Sequence, residues 1–124
     1  MAQHPALMRR LRILGVVAVL FTTQKRRYGE YLYQPLYCST NSEANYEKIM
    51  YALDEEFELF GLDGRDNWMR GEFDSKWECP IETLRRLLAS LAPDGTLYFE
   101  VVSFEPGMGY LVAYLYCGGL WEEF

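Results

Sequence analysis

The sequence predicts an α+β fold: an antiparallel sheet with two helices on one face, a ferredoxin-like or split-βαβ variant. Three observations lead there. Two stretches, 40–61 and 80–92, place apolar residues at helical spacing. Five others read as strands, by alternation or as β-branched apolar runs, and the order along the chain is ββαβαββ. The chain has 124 residues, of which 50% are hydrophobic, so one domain spanning 1–124 can bury its own core. Residues 1–10 are expected to be flexible.

Leu11 to Thr22 contains the apolar run Ile13–Phe21 and reads as a buried first strand. Arg9, Arg10 and Arg12 before it also resemble the start of a secretory signal, but Lys25-Arg26-Arg27 follow where a small-x-small cleavage site would stand. Nine apolar residues fall short of the roughly 20 that span a bilayer. An exported or membrane-anchored protein is thus an alternative reading, and a cytoplasmic one is preferred. Glu30 to Cys38 alternates Tyr31, Tyr33 and Tyr37 with Leu32 and Leu36, a second strand in which Pro35 predicts an edge position or a bulge.

Thr40 and Glu43 fit a capping box, with Ser42 or Asn41 as other candidate caps. Tyr46, Ile49, Met50, Leu53, Phe57 and Phe60 then follow on one helical arc, and Gly61 is a natural helix stop. Gly61 to Asn67 reads as a loop. Trp68 to Glu78 reads as a third strand with Met69, Gly71, Phe73, Ser75 and Trp77 on one face. Pro80 suits the first position of a second helix whose buried stripe is Ile81, Leu84, Leu87, Leu88 and Leu91. Residues 96–105 and 109–117 form an antiparallel hairpin, and the tail from Gly118 is a candidate edge cover.

Charge is segregated. Residues 1–30 carry six bases and one acid; residues 31–124 carry six bases and 17 acids. An acidic body repels phosphate, which argues against direct nucleic-acid binding, and steers a basic protein toward it. Glu43, Glu47, Asp54 and Glu58 fall on one flank of the first helix, and a row of carboxylates can imitate a phosphate backbone for an Arg- or Lys-lined groove. A solvated helix face is the plainer explanation of the same run.

Tyrosine is concentrated in the strands. Alternation predicts a side that collects Tyr31, Tyr33, Tyr37, Tyr98, Tyr110, Tyr114 and Tyr116, opposite an aliphatic side that takes the helices. Large area and a polar tip suit Tyr98, Tyr110, Tyr114 and Tyr116 to anchor a partner, or a second copy in a homodimer.

Chemistry is sparse. His4 is the sole histidine, which removes the usual Ser-His and Cys-His pairs from the folded body. Cys38, Cys79 and Cys117 are dispersed and odd in number, as expected of reduced thiols, and no cofactor or metal motif is present. No catalytic residue is assigned and no enzyme activity is expected.

From Trp68 to Gly119 there is a family resemblance. Trp77 near the Cys79-Pro80 helix start, Leu84 to Leu91, Pro93 before a strand, Glu105 in the hairpin and Gly118-Gly119 resemble the YubB-type ferredoxin-like domain of plasmid and phage proteins. Met69-Arg70-Gly71 stands where that family has a Trp-Gly-rich strand. The resemblance implies a mobile-element accessory protein and supplies no site residue. Together these readings favour a non-enzymatic acidic protein that occupies a basic partner. Such proteins inhibit nucleic-acid-binding defence systems (the anti-CRISPR or anti-restriction type) or protect against nuclease toxins. A homo-oligomeric structural domain is the second expectation.

Overall fold

The computed structural model describes residues 31–105 and 110–123. The first strand expected over 11–22 and the flexible start expected over 1–10 lie outside the described residues. Eight elements follow: β1 (Tyr31–Ser39), α1 (Glu43–Phe57), β2 (Phe60–Arg65), β3 (Trp68–Lys76), α2 (Ile81–Ala89), β4 (Tyr98–Glu105), β5 (Tyr110–Cys117) and β6 (Leu120–Glu123). The strands make one sheet in the order β2-β3-β1-β4-β5-β6, with every neighbouring pair antiparallel. The fold is therefore α+β. β1-α1-β2 and β3-α2-β4 are two interlocked split units: β3 lies between β1 and β2, and β1 between β3 and β4. That arrangement is compatible with a ferredoxin-like core, to which β5 and β6 add a meander.

Both helices pack on one face of the sheet. Their apolar stripes, Ile49 and Leu53 from α1 and Leu84 and Leu88 from α2, meet Leu36, Cys38, Met69, Phe73, Phe99 and Val101 in a single core. Phe57 stacks on Phe73 at 4.3 Å, joining α1 directly to β3. Each fully buried side chain of this size stabilises by roughly 1.5–3 kcal/mol.

Ser42 caps α1, its hydroxyl accepting from Asn45 N–H at 3.2 Å. The helix ends earlier than its apolar spacing suggests. Glu58 adopts the left-handed region at φ 55° and returns its N–H to Asp54 O, so Phe60 leaves the helix for β2. The segment read as a loop is thus an edge strand, bulged between Phe60 and Asp63, where Gly61 at φ 62° supplies the irregularity. Gly64 makes close approach possible: a Cβ there would stand 2.8 Å from Trp68 O. Pro80 precedes α2 instead of opening it.

Pro35 occupies a central strand, contrary to the edge or bulge its ring predicts. Pairing with β4 passes from Tyr33 to Leu36 without bridging Gln34 or Pro35, which accommodates the absent N–H. The fully buried Gln34 side chain spans the interruption, donating from Nε2 to Ser75 Oγ on β3 and Ser103 Oγ on β4, both at 2.8 Å. The tail covers the edge of β5 by pairing with it as β6, the last of the described strands on that side of the sheet.

Candidate binding surface

The acidic helix is built on a rigid base. At the start of α1, Asp94 from the α2–β4 connection accepts from Thr40 Oγ1, from Thr96 N and Oγ1 at 2.9 and 2.6 Å, and from Asn45 Nδ2 at 3.2 Å. Asn45 also donates to Ala92 O at 3.1 Å. Partial desolvation pulls the Asp94 carboxyl up, but the hydrogen bonds from Thr40, Thr96 and Asn45 outweigh it and hold it at about 2. The network pins the first turn of α1 to the end of β1 and the start of β4. On this base Glu43, Glu47 and Asp54 are all exposed along one side of the helix, within about 40° at 100° per residue. Glu58 is exposed as well, but it sits at the C-cap in its own backbone conformation and does not continue the helical row.

This end of the helix is electrostatically unusual. Asp54, Glu55, Glu56 and Glu58 are exposed at the C-terminal end of α1, with no base in the last turn. Carboxylates there oppose the helix macrodipole, at a cost of a few tenths of a kcal/mol or more each. Packing does not require them.

The tyrosines do not share a face. Each β4–β5 pair joins an even-numbered to an odd-numbered residue: Tyr98 opposes Cys117, Val101 opposes Tyr114 and Phe99 opposes Tyr116. Opposed residues project from the same side, so Tyr114 and Tyr116 go with the helices while Tyr98 goes to the other side. Both are partly buried against the core beside α2, Tyr116 tilted onto Trp121 at 5.3 Å. Tyr110 opens β5 opposite Glu105. The single Tyr-rich side expected from alternation is therefore not formed. Strand parity, which alternation within a strand cannot supply, divides it.

What lies on the second face is an aromatic row drawn from three strands. Tyr37 stacks on Trp68 at 6.1 Å and meets Tyr98 edge-on at 6.0 Å, while Arg70 lies over Trp68 at 5.5 Å. Further along, Tyr33 stacks on Phe60 at 6.1 Å and donates to Glu72 Oε1. Desolvation, reinforced by Asp74, pushes the Glu72 carboxyl up. Tyr98 donates to Glu100 Oε1 at 2.6 Å. Pro35, Glu100, Val102, Ala113 and Leu115 on this face are buried, Glu100 completely. The middle of this face is thus not an open platform, although Leu111 and Cys117 on β5 are exposed.

Trp77 marks a feature that alternation misplaces. Expected to continue the inner face of β3, it stands beyond the strand with 70% of its surface exposed. Its φ is 74°, and Glu78 N–H donates to Lys76 O across it at 2.8 Å. That is the strained, positive-φ form of a γ-turn, costing of order 1–3 kcal/mol for a bulky residue. Ser75 Oγ donates to Glu78 O at 2.7 Å and braces the turn. A second turn of the unstrained kind follows at Pro80, φ −77° and ψ 58°, closed by Ile81 N–H to Cys79 O at 2.7 Å. Next to it is a cleft of about 330 Å³ lined by Glu78, Cys79, Pro80, Ile81, Glu82, Thr83 and Tyr114.

The buried thiols are inert. Burial pushes Cys38 and Cys79 up to about 12, helped by Asp94 for the first and by Glu78 and Glu123 for the second. Cys117 is exposed. Among the described residues no group of three or more His, Cys, Asp or Glu side chains is placed to hold a metal ion. No helix of the described residues is long and apolar enough to cross a membrane. Compared with protein-family models, curated proteins and solved structures, the chain has no significant match.

Proposed function

We propose that this chain is a non-enzymatic binding protein that occupies a basic partner protein in the cytoplasm, through the acidic side of α1. A nucleic-acid-binding effector or a nuclease is the partner class its charge fits, as for an inhibitor of a defence system or an immunity protein. An accessory protein of a plasmid or phage is a setting that suits this reading. One observation carries the reading: exposed carboxylates at Glu43, Glu47, Asp54 and Glu58 run along and past α1, the last two against its dipole. Folding would be better served without these last two. A surface that sacrifices stability for charge is one that steers an oppositely charged partner.

Reversing Glu43, Glu47, Asp54 and Glu58 to Lys tests this on the partner captured from the native host. Association should slow by about tenfold or more at low salt, and its salt dependence should flatten. Asp54→Lys and Glu58→Lys should raise the melting temperature, because they relieve repulsion and the dipole mismatch at the end of the helix, whereas Glu43→Lys in the first turn should lower it. An unchanged on-rate refutes the proposal. Self-association through one Tyr-rich side has no such surface to use, since the register divides those tyrosines between the two faces.

A further inference from the structure

We infer that the Trp77 turn is a second contact point, taking an arginine-rich segment of the basic partner against the indole and into the adjoining cleft. The inference rests on the proposed basic partner but uses different residues. The backbone at Trp77 holds a conformation that glycine adopts freely and a bulky residue does not. The indole gives the core nothing in return: it is 70% exposed and takes no place among the side chains packed there. Strain and an outward-facing tryptophan at one position are unexplained by folding. Tryptophan is among the residue types that dominate binding energy when a partner covers them.

The surroundings specify the occupant. Lys76 Nζ lies 6.0 Å from the centre of the Trp77 ring, so the indole already engages a cation of its own chain, and an incoming guanidinium takes that place or the opposite face of the ring. The neighbouring cleft has exposed carboxylates at Glu78 and Glu82 and an aromatic wall at Tyr114. A guanidinium stacks flat on an indole and bonds a carboxylate with the same fork, which an ammonium cannot do. The fit is to arginine more than to lysine.

The test uses the full chain and two probe peptides, nona-arginine and nona-lysine, followed by the NMR signals of the indole N–H groups and the 77–83 amides. Nona-arginine should shift the Trp77 indole and the Glu78–Thr83 amides saturably, and bind more tightly than nona-lysine. Trp77→Gly should weaken nona-arginine binding about tenfold, and Trp77→Phe much less. Because Trp77→Gly relieves the positive φ, its melting temperature should not fall, so weaker binding is not a folding defect. Binding that is unchanged in Trp77→Gly, yet weakened by the α1 charge reversal, overturns this inference alone. Failure of the chain to bind either peptide overturns it together with the basic-partner reading.

Discussion

Asp94 shows how a single carboxylate can set the geometry of an element it does not belong to. Its hydrogen bonds from Thr40 and Asn45, 54 and 49 residues away, and from the nearby Thr96 join two segments distant in sequence. Its pKa falls from 3.8 to about 2 on folding, so the unfolded chain binds the proton more tightly. The associated stability is present above 3.8 and is lost as pH falls toward 2. Glu72 acts in the opposite sense: its raised pKa favours the folded state most when it is protonated, and that contribution disappears as pH rises through it. Denaturant midpoints measured down the acid range should therefore drop less steeply in Asp94→Asn than in the parent. The variant itself should be about 1–3 kcal/mol less stable at neutral pH. Thiol chemistry offers a second residue-scale test. Iodoacetamide should modify Cys117 in the native protein, and Cys38 and Cys79 only after unfolding, as peptide mapping would report. Equal modification of all three would contradict the described packing.

At the scale of elements, α2 is the simplest case and α1 the instructive one. The stripe Ile81, Leu84, Leu87, Leu88 and Leu91 is legible from spacing alone and packs as spacing demands. Leu84→Ala should cost about 2–5 kcal/mol by thermal or denaturant unfolding, because the fully buried site is closed in by both sheet and helix. In α1 the same kind of pattern overshoots. Phe60 fits the helical arc, yet the chain turns at Glu58 and hands Phe60 to β2, where it stacks on Tyr33. Helical periodicity cannot distinguish a further turn of helix from an edge strand with the same apolar residue. β2 itself was illegible because Gly61, Asp63 and Gly64 carry loop composition, and its place in the sheet comes from pairing with β3. Gly64→Ala should be destabilising although no unusual φ is needed there, since the added methyl meets the Trp68 carbonyl. A melting temperature equal to the parent's would show that the hairpin gives way easily.

For the whole molecule, the class, both helices and the strands β1, β3, β4 and β5 could be read from the sequence, but β2, β6 and the assignment of faces could not. Alternation within β4 and β5 is correctly visible; which alternate of β5 accompanies which alternate of β4 depends on the pairing across residues 106–109. For that reason Tyr98, Tyr114 and Tyr116 do not act as one patch. The exposed charge of Glu43, Glu47 and Asp54 was legible because helical geometry determines it; the place of Glu58, at a left-handed cap, was not. Trp77 was not, because a positive-φ turn leaves no periodic trace. Taken with the charge on α1, the protein should bind its partner less tightly as salt rises, with a slope that flattens when the four carboxylates are reversed. Stopped-flow association across a salt series measures this directly.

Strand β1, the first of the described strands to be synthesised, has its two neighbours in β3 and β4, and the second of these is not complete until Glu105. At typical translation speeds the ribosome needs several seconds to travel from one to the other. Throughout that interval the future centre of the sheet lacks half its ladder, so nascent chains should depend on chaperone protection until β4 is made.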